Sequence, residues 1–441
     1  MFDQTMDSNS NPTTFGTVAE ILASDSRPAL SSLTPSLIRL YAILAPACLV
    51  VCATNGYDGS VLTGLQGVAA WNHEFGSPKG ALLGITSAAY PLGAILSTPF
   101  SAMISDRFVR KWSILSGGSI MIIGVLIQYL SHSIGLFIGG RIVVGFGITM
   151  ALAAAPTAKK KPSTSSSSTM AAATQTTPFV LAQFHEMKVA LQLEKQVQDA
   201  GPKLFLKTPA NRKRLLILVT LAVAGQWSGN GLVSYYLTRI FSSIGITGQR
   251  EQTLLNGVIS TVNYATALMA AGLSTKLGRR WMFVGGGVAM WLTFSSLTAS
   301  IAVYNTKGTT ASSQAALAFI FIYYAAFNLC LNPLLFLYPT EILPFRLRAM
   351  GLSILVFANK AASFLNQFVN PIGMKSLSWK YYLFYVGWLL VEIAVFYFLY
   401  PETKGYSLER MQEVFGEEIK DDGPEEKASI INEMTAVEHK E

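Results

Sequence analysis

This chain is poor in charge and in the residues that do chemistry. Asp, Glu, Lys and Arg make up 13% of its 441 residues against 51% hydrophobic ones, a balance foreign to a water-soluble globule of this size. It has three cysteines, Cys48, Cys52 and Cys330, all inside apolar runs, so no disulfide framework is implied. The four histidines, His73, His132, His185 and His439, all lie outside those runs, which leaves no histidine relay for protons. No nucleotide loop, metal-ligand cluster or nucleophile triad stands out, so no cofactor and no enzymatic activity are expected. The N-terminal stretch lacks the basic region and short apolar core of a cleavable signal, so the first apolar run is expected to direct insertion.

What the chain has in excess is apolar length. About 20 residues of helix cross a hydrocarbon layer of about 30 Å. Ten runs meet that length, near 38–62, 80–103, 113–131, 134–156, 214–240, 252–273, 281–303, 314–338, 349–372 and 381–400. Their Gly, Ser and Thr content suits helices packed closely in lipid. The net charge of +8 raises nucleic acid as a partner, but the basic residues follow the membrane instead. Of 33 Lys and Arg, Lys79, Arg239, Arg250, Lys307, Lys375 and Lys380 fall in loops of one side, and Arg141 and Lys360 fall inside spans. The rest share the other side, which the positive-inside bias makes cytoplasmic together with both termini. An all-α, multi-pass membrane protein with the bilayer as its partner, and no nucleic acid, is the expectation; oligomeric state is not legible.

Two basic connections, ISDRFVRKW at 104–112 and LSTKLGRRW at 273–281, look like copies of one unit. Counted from these repeats the halves are unequal, with four spans before residue 157 and six after residue 213. Between them stands AKKKPSTSSSSTMAAATQTTP, 158–178, a polar low-complexity linker, followed at 179–198 by a candidate amphipathic helix with Val180, Phe184, Met187, Leu191 and Leu193 near one face. The expected organisation is a cytoplasmic tail (1–37), an incomplete four-span bundle (38–157), a cytoplasmic linker (158–213), a six-helix bundle (214–400) and a second tail (401–441). Loss of an even number of spans leaves every later helix with its orientation.

Several motifs stand in order along these spans. They are GYDGS at Gly56–Ser60, SDRFVRK in the first basic loop with Ala102 and Val109 at two motif positions, and GRIVVGFG at Gly140–Gly147. Later come QWSGNGLVSYY at Gln226–Tyr236, LGRR at Leu277–Arg280, YPTEILPFRLRAMG at Tyr338–Gly351 and PETKGYSLE at Pro401–Glu409. The series resembles the sugar-porter family of the major facilitator superfamily, over about 38–157 and 205–415. In that family Ala102 and Val109 replace glycines, and the pattern after Thr157 would continue PxYxxE into two further spans and a PESPRWL-like segment, none of which is present. The resemblance therefore implies the superfamily fold with about ten transmembrane helices (4 + 6) instead of twelve. QWSGNGLVSYY is most similar to the fungal branch of lactose and cellodextrin permeases, which implies a disaccharide.

Candidate site residues follow from where polarity sits in lipid. An ionisable residue inside a span costs several kcal/mol unless it faces a cavity or a partner. Asp58 and Arg141 lie at similar depth from the same face, so Arg141 is expected to hold Asp58 ionised until a proton binds; the other reading is a static ion pair. The resemblance implies the same coupling role. Lys360 and Glu392 also lie at matching depth and are expected to form a buried pair, more structural than proton-carrying. For sugar hydroxyls and a pyranose face the resemblance points to Gln226, with Gly225 replacing the family's other glutamine, to Asn263, and to Phe336 at the place of a stacking Trp. Asn230, Tyr235, Tyr236, Asn332 and Asn366 are further candidates. On the basic side Glu341 with Arg279 and Arg280, and Asp106 with Arg107 and Arg110, look like the charged inner latch of relatives, with positive-inside anchoring as the other reading. The implied activity is proton-coupled sugar uptake at a plasma membrane, with sugar and protons as partners. The alternatives are a facilitative carrier, a nutrient sensor or a truncated product that does not transport.

Overall fold

The computed structural model describes Gly56 and residues 61–107, 110–154, 203–406 and 408–416. Asp58, most of the first expected span, the 158–178 linker, the amphipathic stretch 179–198 and much of both tails lie outside the described residues. Among the described residues all regular structure is helical.

After a short helix α1 (Ala69–Glu74) come three long ones, α2 (Ala81–Arg107), α3 (Arg110–Tyr129) and α4 (Ile134–Ala154). The later part opens with α5 (Leu204–Lys207) and α6 (Pro209–Trp227). Thr208 starts α6 by accepting the Asn211 N–H, and Pro209 stands where the helix needs no donor. Then follow α7 (Asn230–Tyr235), α8 (Leu237–Ser243), α9 (Gln249–Ser274), α10 (Arg279–Lys307), α11 (Thr310–Cys330), α12 (Leu334–Ile342), α13 (Phe345–Leu377), α14 (Tyr381–Leu399) and α15 (Leu408–Val414). Eight stretches of the described residues are long and apolar enough to cross a membrane, and the last, Met350–Leu399, holds most of α13 and all of α14, joined by the 3-10 turn Ser378–Lys380.

The first three long helices pack through absent side chains. A Cβ on Gly93 would lie 2.0 Å from the Ile142 carbonyl oxygen, and one on Gly145 would lie 2.1 Å from that of Tyr90. Across α3 and α4, Gly117 meets Gly147 and Gly124 meets Val144 in the same way. Backbones this close explain why GRIVVGFG reads as it does: small residues let dispersion act between helices where lipid offers no hydrophobic drive. Helix α2 then joins the later half through Gly84, whose Cβ would sit 2.5 Å from the Phe368 carbonyl oxygen of α13.

Two expected spans are not single helices. The stretch Pro209–Tyr235 breaks at Ser228–Gly229, where Gly229 adopts φ +103°, and Thr310–Ile342 breaks at Leu331–Pro333. A broken helix in lipid must re-satisfy its freed backbone groups. The Tyr323 hydroxyl of α11 donates to the Ser228 carbonyl at 3.0 Å and does part of that. At the second break Pro333 has no N–H to orphan.

Candidate functional site

The two breaks fall at the sequences singled out for substrate. Gln226, the last turn of α6, donates from Nε2 to Asn359 Oδ1 of α13 at 3.3 Å, and Asn359 Nδ2 donates to the Ala222 carbonyl. Beside it Trp227 donates from Nε1 to the Ala362 carbonyl at 3.0 Å, and its ring lies 5.8 Å from Trp388 and 6.1 Å from Phe384 of α14. Beyond the break Asn230 accepts from Ser234, and the Tyr235 carbonyl accepts from Gln66 Nε2 at 3.2 Å. At the other break an amide chain runs from Asn332 to Asn328 and on to Asn263 and Thr266, at 3.0, 2.6 and 2.7 Å. It ties α9 to α11 while leaving Asn332 exposed. Phe336 is 56% exposed on α12.

Tyr236 and Asn366 are spent inside the bundle. The fully buried Tyr236 donates its hydroxyl to the Gln367 carbonyl at 2.6 Å. Asn366 donates to the Tyr385 hydroxyl and accepts from Asn370, whose own oxygen takes the Tyr381 hydroxyl. These groups join the start of α8 to α13 and α14.

Arg141 is buried within α4, and its expected partner Asp58 lies outside the described residues. Lys360 and Glu392 do not pair. Glu392, buried on α14, accepts from Trp388 Nε1 at 2.6 Å, whereas the Lys360 ammonium lies 5.4 Å from the Tyr90 ring centroid on α2. Matching depth was a sound measure, but rotation decides. Lys360 precedes Asn366, which faces α14, by six positions, and at about 3.6 residues per turn that places it about a third of a turn away.

At the start of α10 the residues expected to form a latch gather. Arg279 grips Glu341 through Nε and Nη2 at 2.8 to 3.2 Å, a two-pronged pair in which both side chains are mostly buried. Thr403 donates its hydroxyl to Glu341, and Arg279 Nη1 donates to the Ser274 carbonyl at 2.7 Å. Glu402 caps α10, accepting the backbone N–H groups of Arg279 and Arg280 at 2.7 and 3.1 Å. Arg280 does not reach Glu341; its guanidinium donates to the Tyr397 carbonyl and covers the Tyr397 ring at 5.2 Å. Buried Arg214 of α6 completes this end, donating to the Ile342 carbonyl and lying 4.5 Å from the Phe415 ring. Asp106, Arg107 and Arg110 flank the first basic turn, and their side chains lie outside the described residues.

Sequence reasoning overlooked Trp227, Asn359, Asn328, Phe384, Trp388, Arg214, Glu402 and Thr403. For Glu402 and Thr403 the motif PETKG was the available signal. Among the described residues no cluster of His, Cys, Asp or Glu could hold a metal.

Broken helices edged with amides and indoles thus lie among helices long and apolar enough to cross a membrane. The family profile described as "Sugar (and other) transporter" matches residues 44–163 and 157–415, and the chain belongs to that family. It is similar to the MFS-type transporter oryC of Aspergillus oryzae, 23% identical over 458 aligned positions that take in 83% of this chain and 84% of that protein. It is 31% identical to H(+)/hexose cotransporter 2 of Parachlorella kessleri over 206 positions, 46% of this chain and 38% of that protein. Among solved structures a D-xylose-proton symporter superposes with a TM-score of 0.65 at 19% identity, covering 84% of this chain and all of that one, which places the fold with these transporters.

Proposed function

We propose that the chain carries a sugar across a membrane by alternating access, coupled to protons, with a hexose or a disaccharide as substrate. The observation that supports this best is the pair of helix breaks at Ser228–Gly229 and Leu331–Pro333, because discontinuous helices near mid-membrane are where transporters of this kind hold substrate. Gln226, Asn230, Tyr235, Asn263, Asn332 and Phe336 would offer hydroxyl partners and an apolar face, with Trp227 and Trp388 beside them; Tyr236 and Asn366 would hold the scaffold. Asp58 would carry the proton against Arg141. Arg279, Arg280 and Glu341, with Asp106, Arg107 and Arg110, would form the inner latch on the cytoplasmic side of a plasma membrane, with both termini there. A carrier rather than an enzyme fits the relatives, and the name of the algal relative speaks for a hexose and a proton.

Spans five and six would be missing from this chain. The family profile breaks into two pieces that meet at 157–163, and the alignment with oryC, at 458 positions, is longer than the whole 441-residue chain although it takes in 83% of it. Helix α9, with 11% of its apolar window buried, fits a lost neighbour. Sequencing the expressed transcript across Thr157–Phe179 decides this: two further spans there would make the protein a twelve-helix porter. Labelled-hexose uptake in transport-deficient cells then tests the activity, and absence of uptake by the folded chain favours a remnant or sensor. Proton uptake driven by sugar is expected to vanish in Asp58→Asn; uptake of sugar without proton movement in the parent chain would leave a facilitator.

A further inference from the structure

At the end of α10 away from the latch, a cavity of about 310 Å³ opens between the segment before α2 and the later half. That size sits at the small end of ligand pockets. Lys79, Arg239 and Lys375 all line it, and none of its lining residues is acidic. The three cations converge on one short loop. Arg239 Nη2 reaches the Pro78 carbonyl at 3.4 Å, and the Lys375 stem passes so close to Gly80 that a Cβ there would lie 3.0 Å from its Cδ. Three cations on one cavity whose lining holds no acidic residue favour a negative occupant. Burial already pushes the Arg239 guanidinium below its ordinary value. On the cavity wall Trp379 offers a ring, and Tyr382, 2% exposed, has a buried hydroxyl without a hydrogen-bond partner.

We propose that this cavity binds a small oxyanion, a phosphate or carboxylate, which bridges Lys79 to Arg239 and Lys375 and holds the two halves together at that end. The three cations supply charge-assisted hydrogen bonds, which are shorter and stronger than neutral ones. Because Lys79 comes from before α2 and the other two from α8 and α13, the anion favours the arrangement in which this end is closed. The site is separate from the helix breaks and does not rest on sugar transport.

The test uses the full chain in phosphatidylcholine nanodiscs, in a buffer without oxyanions, with inorganic phosphate titrated at constant ionic strength while thermal stability is read. Saturable stabilisation is expected, with apparent affinity about a hundredfold weaker in Lys79→Gln/Lys375→Gln, roughly a factor of ten for each lost charge-assisted hydrogen bond. Both lysines are exposed, so the fold tolerates the exchange. Ser243→Asp, which sets a carboxylate on the cavity wall, is expected to raise stability without phosphate and to abolish the response. Discs containing phosphatidic acid separate the sources: stabilisation there, dependent on the same lysines and unmoved by added phosphate, makes the oxyanion a lipid headgroup. A flat titration in both lipids, or an equal response in the double variant, overturns the proposal.

Discussion

The helices before residue 155 and those after residue 203 solve the same problem, adhesion in lipid, by opposite means. In α2, α3 and α4 glycines remove side chains so that backbones touch. In the later part rings and amides fill the interior: Phe283 lies edge-on to Tyr338 and Tyr400 at 5.0 and 4.9 Å, and Asn366, Asn370, Tyr381 and Tyr385 share hydrogen bonds. The lesson is about what each half can tolerate. Contact between backbones cannot yield to an added atom, whereas a side-chain network can lose a member and adjust.

The largest effect should come from breaking the first kind of contact. Gly145→Leu must push α4 off the Tyr90 carbonyl, so no monodisperse protein is expected by size-exclusion chromatography in detergent. Gly118→Leu, next to Gly117 in sequence but with open space around its Cβ, should elute like the parent. If both variants behave alike, glycine contact is not what holds the first half.

Next comes a glycine of the later half that does two jobs. Gly229 has φ +103°, and a Cβ would lie 2.7 Å from Phe294. Gly229→Ala is expected to lower stability by about 1–3 kcal/mol and to reduce labelled-hexose uptake, since the break at Ser228 must shift. Unchanged thermal midpoint and uptake would show that the break is not held in place.

The contrast also marks what was legible. Apolar runs of bilayer length were, because hydrophobic length is a local property, and the helices observed from residue 81 onward fall on nine of the ten expected spans. The pair Arg279–Glu341 was legible through its motifs. The helix breaks were not: Gly229 and Pro333 sit in runs whose mean hydropathy stays high, so a window average passes over them. Nor was the meeting of Gln226 with Asn359, or of Asn263 with Asn328, since partners 133 and 65 positions apart are set by packing. Lys360 and Glu392 show the complementary limit, as depth along two helices says nothing of which way each side chain faces.

A comparable loss belongs to the pair Arg279–Glu341. Glu341→Gln keeps the shape but removes the charge that Arg279 grips with both prongs, and Thr403 loses its strong acceptor. Since both partners are mostly buried, a cost of about 1.5–3 kcal/mol is expected. Arg280→Gln should cost less, about 0.5 kcal/mol, because its guanidinium is exposed over Tyr397. Thermal unfolding of the two variants side by side checks the order, and equal losses would mean that the two arginines share the latch after all.

The smallest effect on stability should be at Phe336, and it separates structure from transport most cleanly. Its ring is 56% exposed and makes no ring contact with another described residue, so Phe336→Ala removes little packing and should stay within about 0.5 kcal/mol of the parent. If the ring instead serves as a face for a pyranose, the same substitution should raise the KM for hexose uptake several-fold, and Phe336→Trp should restore it. Trp388→Phe gives the reference from inside the aromatic wall: it removes the Nε1 donor to Glu392 and leaves that buried carboxyl short of a partner, so its stability should fall by about 1–3 kcal/mol. A Phe336→Ala variant with unchanged stability and unchanged KM would return that ring to the lipid and move the sugar face to Trp227 and Trp388.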